Sequence, residues 1–163
     1  MSNEYKDWVE DLKNAPIDSN DHKRWLLMEY PWLQMEEKEE VVYFDLEEEK
    51  IYTFIDCAPS GWAKLCEDLC AELKPLLEKV NFVDGYKLCQ VKEKYGGLRW
   101  YDCGVPVAIY EEYCALIRKY ENLSYKTCCI CGAPATKMST GWISPLCDKC
   151  AENINGKFVP IEN

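Results

Sequence analysis

Residues 90–102 read QVKEKYGGLRWYD, two runs of alternating polar and apolar residues joined by a Gly-Gly pair. Period-two alternation on both sides of a glycine pair is the pattern of a β-hairpin. A two-residue turn at Gly96-Gly97 pairs Lys94 with Arg99, Glu93 with Trp100 and Lys92 with Tyr101. Gln90, Lys92, Lys94, Arg99 and Tyr101 then share one face of the ribbon. Val91, Tyr95, Leu98 and Trp100, with Glu93 among them, share the other, which is the natural core side. The polar face therefore gathers three cations in a chain whose formal net charge is -10. Like charges directly opposite one another destabilise a sheet unless an anion lies between them. An Arg fork, two ammonium groups and a Tyr ring form a platform for a phosphate and a stacked base. The expected partner of these five residues is an anionic small molecule, above all a nucleotide. The bland reading is a solvated sheet face, and a three-residue turn would scatter the cluster.

Outward from the hairpin, apolar periodicity predicts helices. From Ser60, read as an N-cap, Trp62, Leu65, Cys66, Leu69, Leu73, Leu76, Leu77 and Val80 form one long stripe, with Pro75 placed to kink or divide it. After the hairpin, Pro106 opens a helix carrying Ile109, Tyr113, Leu116, Ile117 and Tyr120 on one face. Toward the amino terminus, Tyr5, Trp8, Val9 and Leu12 mark a helix over 3–14, and a second starts near Asp18 to Asn20 and stops before Pro31. The β-rich runs VVYFDL (41–46) and IYTFIDC (51–57), joined by EEEK, read as another hairpin. The expected fold is α+β: a small antiparallel sheet packed by helices, followed by a treble-clef-like zinc knuckle. It divides into an acidic helical and hairpin region at 1–56, a core containing the GGLR hairpin at 57–122 and the knuckle at 123–163, within one compact unit.

The acid excess is confined to the first third. Residues 1–56 hold 16 Asp and Glu against 6 Lys and Arg, whereas 57–104 hold 7 against 7 and 105–163 hold 6 against 6. An acidic whole is thus compatible with an anion site in the balanced remainder. The clusters EEKEE and EEEK between Glu36 and Glu49 read as solvated charge, dispensable for folding. No run of about 18 apolar residues is present, and MSNEYKDW lacks the basic and apolar regions of a secretory signal. The 11 cysteines are accordingly expected in a reducing cytoplasm, where they serve metals or packing more often than disulfides.

Four of them form the clearest motif in the chain. Cys128 and Cys131, then Cys147 and Cys150, give C-x2-C and C-x2-C separated by fifteen residues. Two residues between thiolates let one tight turn supply two ligands to a tetrahedral zinc. Four thiolates leave no open position, so the single zinc is expected to be structural. Cys129 is the spare, a hairpin is expected around Thr140-Gly141, and DKCAENI reads as a short helix.

No catalytic signature accompanies it. Cys70-Ala71-Glu72 invites a deaminase reading, but Cys70 falls inside the long helix and Pro145 is not adjacent to Cys147. The sole histidine, His22, has no Ser or Cys partner by spacing and reads as a surface or boundary residue. Phosphate-loop, dinucleotide and nucleophile-elbow motifs are missing. Carboxylate-only catalysis stays open, with binding the favoured class.

The segments GW..L (61–65), VKEKYGGLRWY (91–101), SYKTCCICGAP, TGW and LCDKC together resemble a family of small uncharacterised proteins of phage and bacterial genomes, over roughly residues 60–150. The stretch with GGLR is the most specific part. Members of that family often end the metal pattern in His, where this chain has Cys150. The resemblance implies a phage-type accessory protein and brings no activity with it. Sequestration of host defence nucleotides follows by analogy. The alternative is an acidic zinc-knuckle interaction or inhibitor module that binds a host protein, by imitating nucleic acid.

Overall fold

The GGLR hairpin forms one residue earlier than the glycine pair suggests. In the computed structural model, which describes residues 3–35 and 50–161, strand β1 (Leu88–Lys94) pairs antiparallel with β2 (Gly97–Asp102). The turn residues are Tyr95 and Gly96, both left-handed at φ 53° and 79°, as a tight turn matched to strand twist requires. Lys92 therefore faces Arg99, Gln90 faces Tyr101, Val91 faces Trp100 and Lys94 faces Gly97. This corrects the expected pairing of Lys94 with Arg99 and of Lys92 with Tyr101. Both strands moved by one position relative to the turn, so the strand residues keep the faces expected of them, but Tyr95, expected on the core side, is taken into the turn and exposed.

The apolar face of the hairpin faces a core that two helices help to build, the second of them lying directly against β2. After a 3-10 turn at Ser60–Trp62, α3 (Ala63–Glu78) buries Cys66, Leu69, Cys70, Leu73, Leu76 and Leu77 at i, i+3, i+4 spacing. Pro75 sits inside α3 without dividing it. Ser60 is not its cap: Trp62 holds that position, and the Ser60 hydroxyl is directed elsewhere. A second 3-10 turn, Val107–Ile109 behind Pro106, leads into α4 (Tyr110–Ser124), which buries Tyr113 and Tyr120. Between α4 and the sheet, Trp100 Nε1 donates to the Tyr86 hydroxyl at 2.9 Å, Tyr86 bonds Tyr113 at 2.9 Å, and Tyr113 donates to Asp102.

Helices α1 (Asn3–Asn14) and α2 (Asn20–Glu29) close the other side of the core, which includes Leu12, Trp25, Leu26, Trp32 and Leu33 along with the residues of α3 and the hairpin. Ser19 caps α2 by accepting from the His22 N–H. The α1 stripe is only partly used, because Leu12 is buried while Tyr5 and Trp8 stay exposed.

Two expectations fail in this region. The run 51–57 is not a strand: Thr53 makes an isolated bridge to Gln34, and Phe54–Cys57 is a 3-10 turn. The Asp56 carboxylate accepts from the Thr53 N–H at 2.7 Å and from the Lys23 ammonium at 2.6 Å, which folds the segment back onto α2. His22 is buried, not at the surface; Nδ1 lies 2.9 Å from the Lys13 carbonyl and Nε2 lies 3.1 Å from Glu67. The run 41–46 and the acidic clusters fall outside the described residues.

The carboxy-terminal part is a three-stranded sheet, β3 (Lys137–Ser139) between β4 (Pro145–Leu146) and β5 (Phe158–Pro160), with the short helix α5 (Asp148–Glu152) after β4. The fold is thus α+β with a knuckle at its end, as expected. Among the described residues no helix is long and apolar enough to cross a membrane.

Candidate metal centre and cationic hairpin face

The turn that follows α4 presents Cys128 and Cys131, and the junction of β4 with α5 presents Cys147 and Cys150. Their four Sγ atoms all lie within 4.8 Å of one another, with Cys131 and Cys147 at 3.6 Å. Sulfurs about 2.3 Å from a tetrahedral metal would stand about 3.8 Å apart, so the four thiols fit a single ion.

The backbone is arranged to favour thiolates. The Cys150 N–H points at Cys147 Sγ, at 3.4 Å. Burial alone would push the Cys128 thiol up, but the N–H groups of Cys147, Cys131 and Ile130 outweigh it and bring it down to about 6. Cys150 is held above the ordinary thiol range by sharing hydrogens with Cys131 and Cys147. A cation that replaces those shared hydrogens relieves the competition. Cys129, half-buried, packs between the knuckle and the main core and takes no part in the cluster.

The tripeptide Ser60-Gly61-Trp62 is docked on this turn. The Gly61 N–H donates to the Cys129 carbonyl at 3.0 Å, Ser60 Oγ to Ile130 at 3.2 Å and Trp62 Nε1 to Thr127 at 2.9 Å. A Cβ on Gly61 would stand 2.2 Å from the Cys128 carbonyl oxygen, and backbone cannot yield there. Trp62 itself is fully buried in the main core. The cysteine turn and the core therefore meet through three hydrogen bonds, one glycine and the packing of Cys129.

The hairpin face is organised by a residue the sequence reading did not single out. Tyr125 lies across Gly97, where a Cβ would come within 2.3 Å of its ring. Its hydroxyl accepts from Arg99 Nη2 at 3.0 Å, while Nη1 donates to the Leu98 carbonyl at 2.7 Å. Beside it, Ser124 Oγ accepts from the Leu98 N–H at 2.8 Å. The two glycines thus serve separate ends: Gly96 takes the left-handed turn, and Gly97 admits the ring that fixes the guanidinium. Each cation on this face also sits near a tyrosine ring, Lys92 at 5.2 Å from Tyr101, Lys94 at 5.5 Å from Tyr95 and Arg99 at 6.0 Å from Tyr125. Gln90 and Tyr101 complete the face and are exposed. Gly97→Ala is expected to lower stability by about 1–3 kcal/mol through overpacking, and urea unfolding beside wild type measures it.

The thiols of α3 are buried and held in their neutral form. Burial pushes Cys66 up to about 12 and Cys70 well above the ordinary range, so the Cys70-Ala71-Glu72 motif is a helix segment with its sulfur in the core. The ionisable pairs missed by the sequence reading, Lys23 with Asp56 and His22 with Glu67, tie α2 to its neighbours beside a cleft of about 360 Å³. They lie far apart in sequence, so no local motif announces them. Comparison with protein-family models, with curated proteins and with solved structures found no match.

Proposed function

We propose that this is a binding protein whose hairpin face takes a phosphate-bearing small molecule of the nucleotide class, on a scaffold fastened by one structural zinc ion. A single observation carries the reading of the face. Seven of the 18 described lysines and arginines form ion pairs with acids, and among the rest Lys92, Lys94 and Arg99 stand together on one face of the hairpin. In a chain with 29 acids and 19 bases, three cations gathered on one face without a paired carboxylate among the described residues leave a local positive potential that an anionic ligand can neutralise. Arg99 retains guanidinium N–H donors beyond the two bonds described above. Tyr101 offers an exposed ring for a base to stack on.

For the metal, zinc suits an all-thiolate tetrahedron with no open position. Cys128, Cys131, Cys147 and Cys150 hold it, and it supplies folding energy, not an activated water.

Calorimetric titration of the purified protein with linear and cyclic nucleotides tests the face. Arg99→Ala should weaken binding by about 1.5–3 kcal/mol, roughly ten- to a hundredfold, and added salt should weaken it further. If no nucleotide binds wild type, or if Arg99→Ala keeps full affinity for one that does, the cations are only the wet side of a sheet.

A further inference from the structure

The hairpin is bracketed by two cysteines that neither the metal centre nor the core uses. Cys89, in β1, and Cys103, one residue beyond β2, lie with their Sγ atoms 2.7 Å apart. Both are exposed. They come together because the register shifts between Leu88 and Gln90, a bulge that swings Cys89 out of the regular ladder toward the strand end. The Cys103 N–H donates to the Lys87 carbonyl at 3.0 Å, which fixes the second thiol beside the first. A groove of about 880 Å³ opens beside them, and Cys57 lines it as well. Two solvent-facing sulfurs at this separation, on backbone that already holds them together, need little rearrangement to bond.

We propose that Cys89 and Cys103 are a reversible dithiol–disulfide site, oxidised by small-molecule disulfides such as glutathione disulfide. The thiolate of one cysteine attacks the glutathione disulfide, forming a mixed disulfide and releasing one glutathione thiol. The second cysteine gives up its proton and attacks the protein sulfur of that mixed disulfide. A Cys89–Cys103 bond forms, a second glutathione leaves, and the protein has lost two hydrogens while one glutathione disulfide has become two thiols. The bond would close the open end of the hairpin opposite its Tyr95-Gly96 turn, locking the ladder on which the cationic face is built. The chemistry itself is independent of what that face binds.

The test treats the metal-loaded full chain with excess glutathione disulfide, quenches it in acid, alkylates the remaining thiols and maps the peptides by mass spectrometry. The expected result is one peptide pair joined through Cys89 and Cys103, reversed by dithiothreitol and unchanged in a Cys57→Ser variant. In Cys103→Ser protein, Cys89 should instead keep a glutathione adduct, since the resolving thiol is gone. Wild-type protein in which Cys89 and Cys103 are each recovered alkylated, each recovered as a glutathione adduct, or bonded to Cys57 would overturn the assignment.

Discussion

Replacing Cys131 and Cys147 together by serine should abolish metal binding and lower the melting midpoint by at least ~10 °C, the scale of losing several kcal/mol in a chain of this length. The reason lies in how little else holds the knuckle. Its buried cluster consists of Cys128, Leu146, Cys147 and Ala151, and two of these four are ligands. An apolar core that small cannot offset the chain entropy of the residues around it. The damage should also spread. Trp62 is sealed by its bond to Thr127, and Gly61 rests on Cys128 and Cys129. Hydrogen exchange should therefore quicken at the start of α3 as well as within residues 126–152. Metal analysis should find one zinc per wild-type chain and none in the variant, while Cys129→Ser should keep its metal. Equal zinc in wild type and double variant would remove the assignment.

That dependence was legible at one end only. The spacing of the four cysteines is local, because two tight turns dictate it, and it could be read without a structure. What the turns lean on could not be read, since the partner of Cys128 to Ile130 is Ser60-Gly61-Trp62, about 70 residues earlier. The hairpin shows the same division. Alternation alone sorted Lys92, Lys94, Arg99 and Tyr101 from Val91, Leu98 and Trp100, and that sorting survives a one-residue change of turn because both strands shift together. The turn itself was misplaced because both glycines suit it by propensity, and only the Tyr125 ring, brought in by α4, claims Gly97 for another use. IYTFIDC misled in a different way. Its β-branched and aromatic residues favour a strand, but the Asp56 carboxylate and the Lys23 ammonium override that preference. His22 was misjudged for a similar reason, since its charged neighbours in sequence are not its neighbours in space.

Trp100→Ala should cost about 3–5 kcal/mol, a large share of the roughly 5–15 kcal/mol that holds a domain folded. Trp100 is buried at 4% exposure, and its ring is part of the main core. Its truncation leaves a cavity against α4. It also takes away the donor that Tyr86 accepts, in a chain of hydroxyls that runs through Tyr113 to Asp102. Burial already pushes the Tyr86 and Tyr113 hydroxyls far up from the usual phenol range, so both stay neutral and the Tyr86 oxygen is left one donor short. Trp100→Phe keeps most of the volume and drops only the N–H, and should cost about 1–3 kcal/mol. One residue away, Arg99→Ala should leave stability within about 1 kcal/mol of wild type, because it forfeits only a half-exposed bond to Tyr125 and one to its own strand. Urea unfolding of the three variants reads these differences directly. Adjacent residues on a strand face opposite ways, so a slip of one residue in one strand alone would exchange the two outcomes. A destabilised Arg99→Ala beside a tolerant Trp100→Ala would mean that the cations face inward and that the binding face is not where the hairpin puts it.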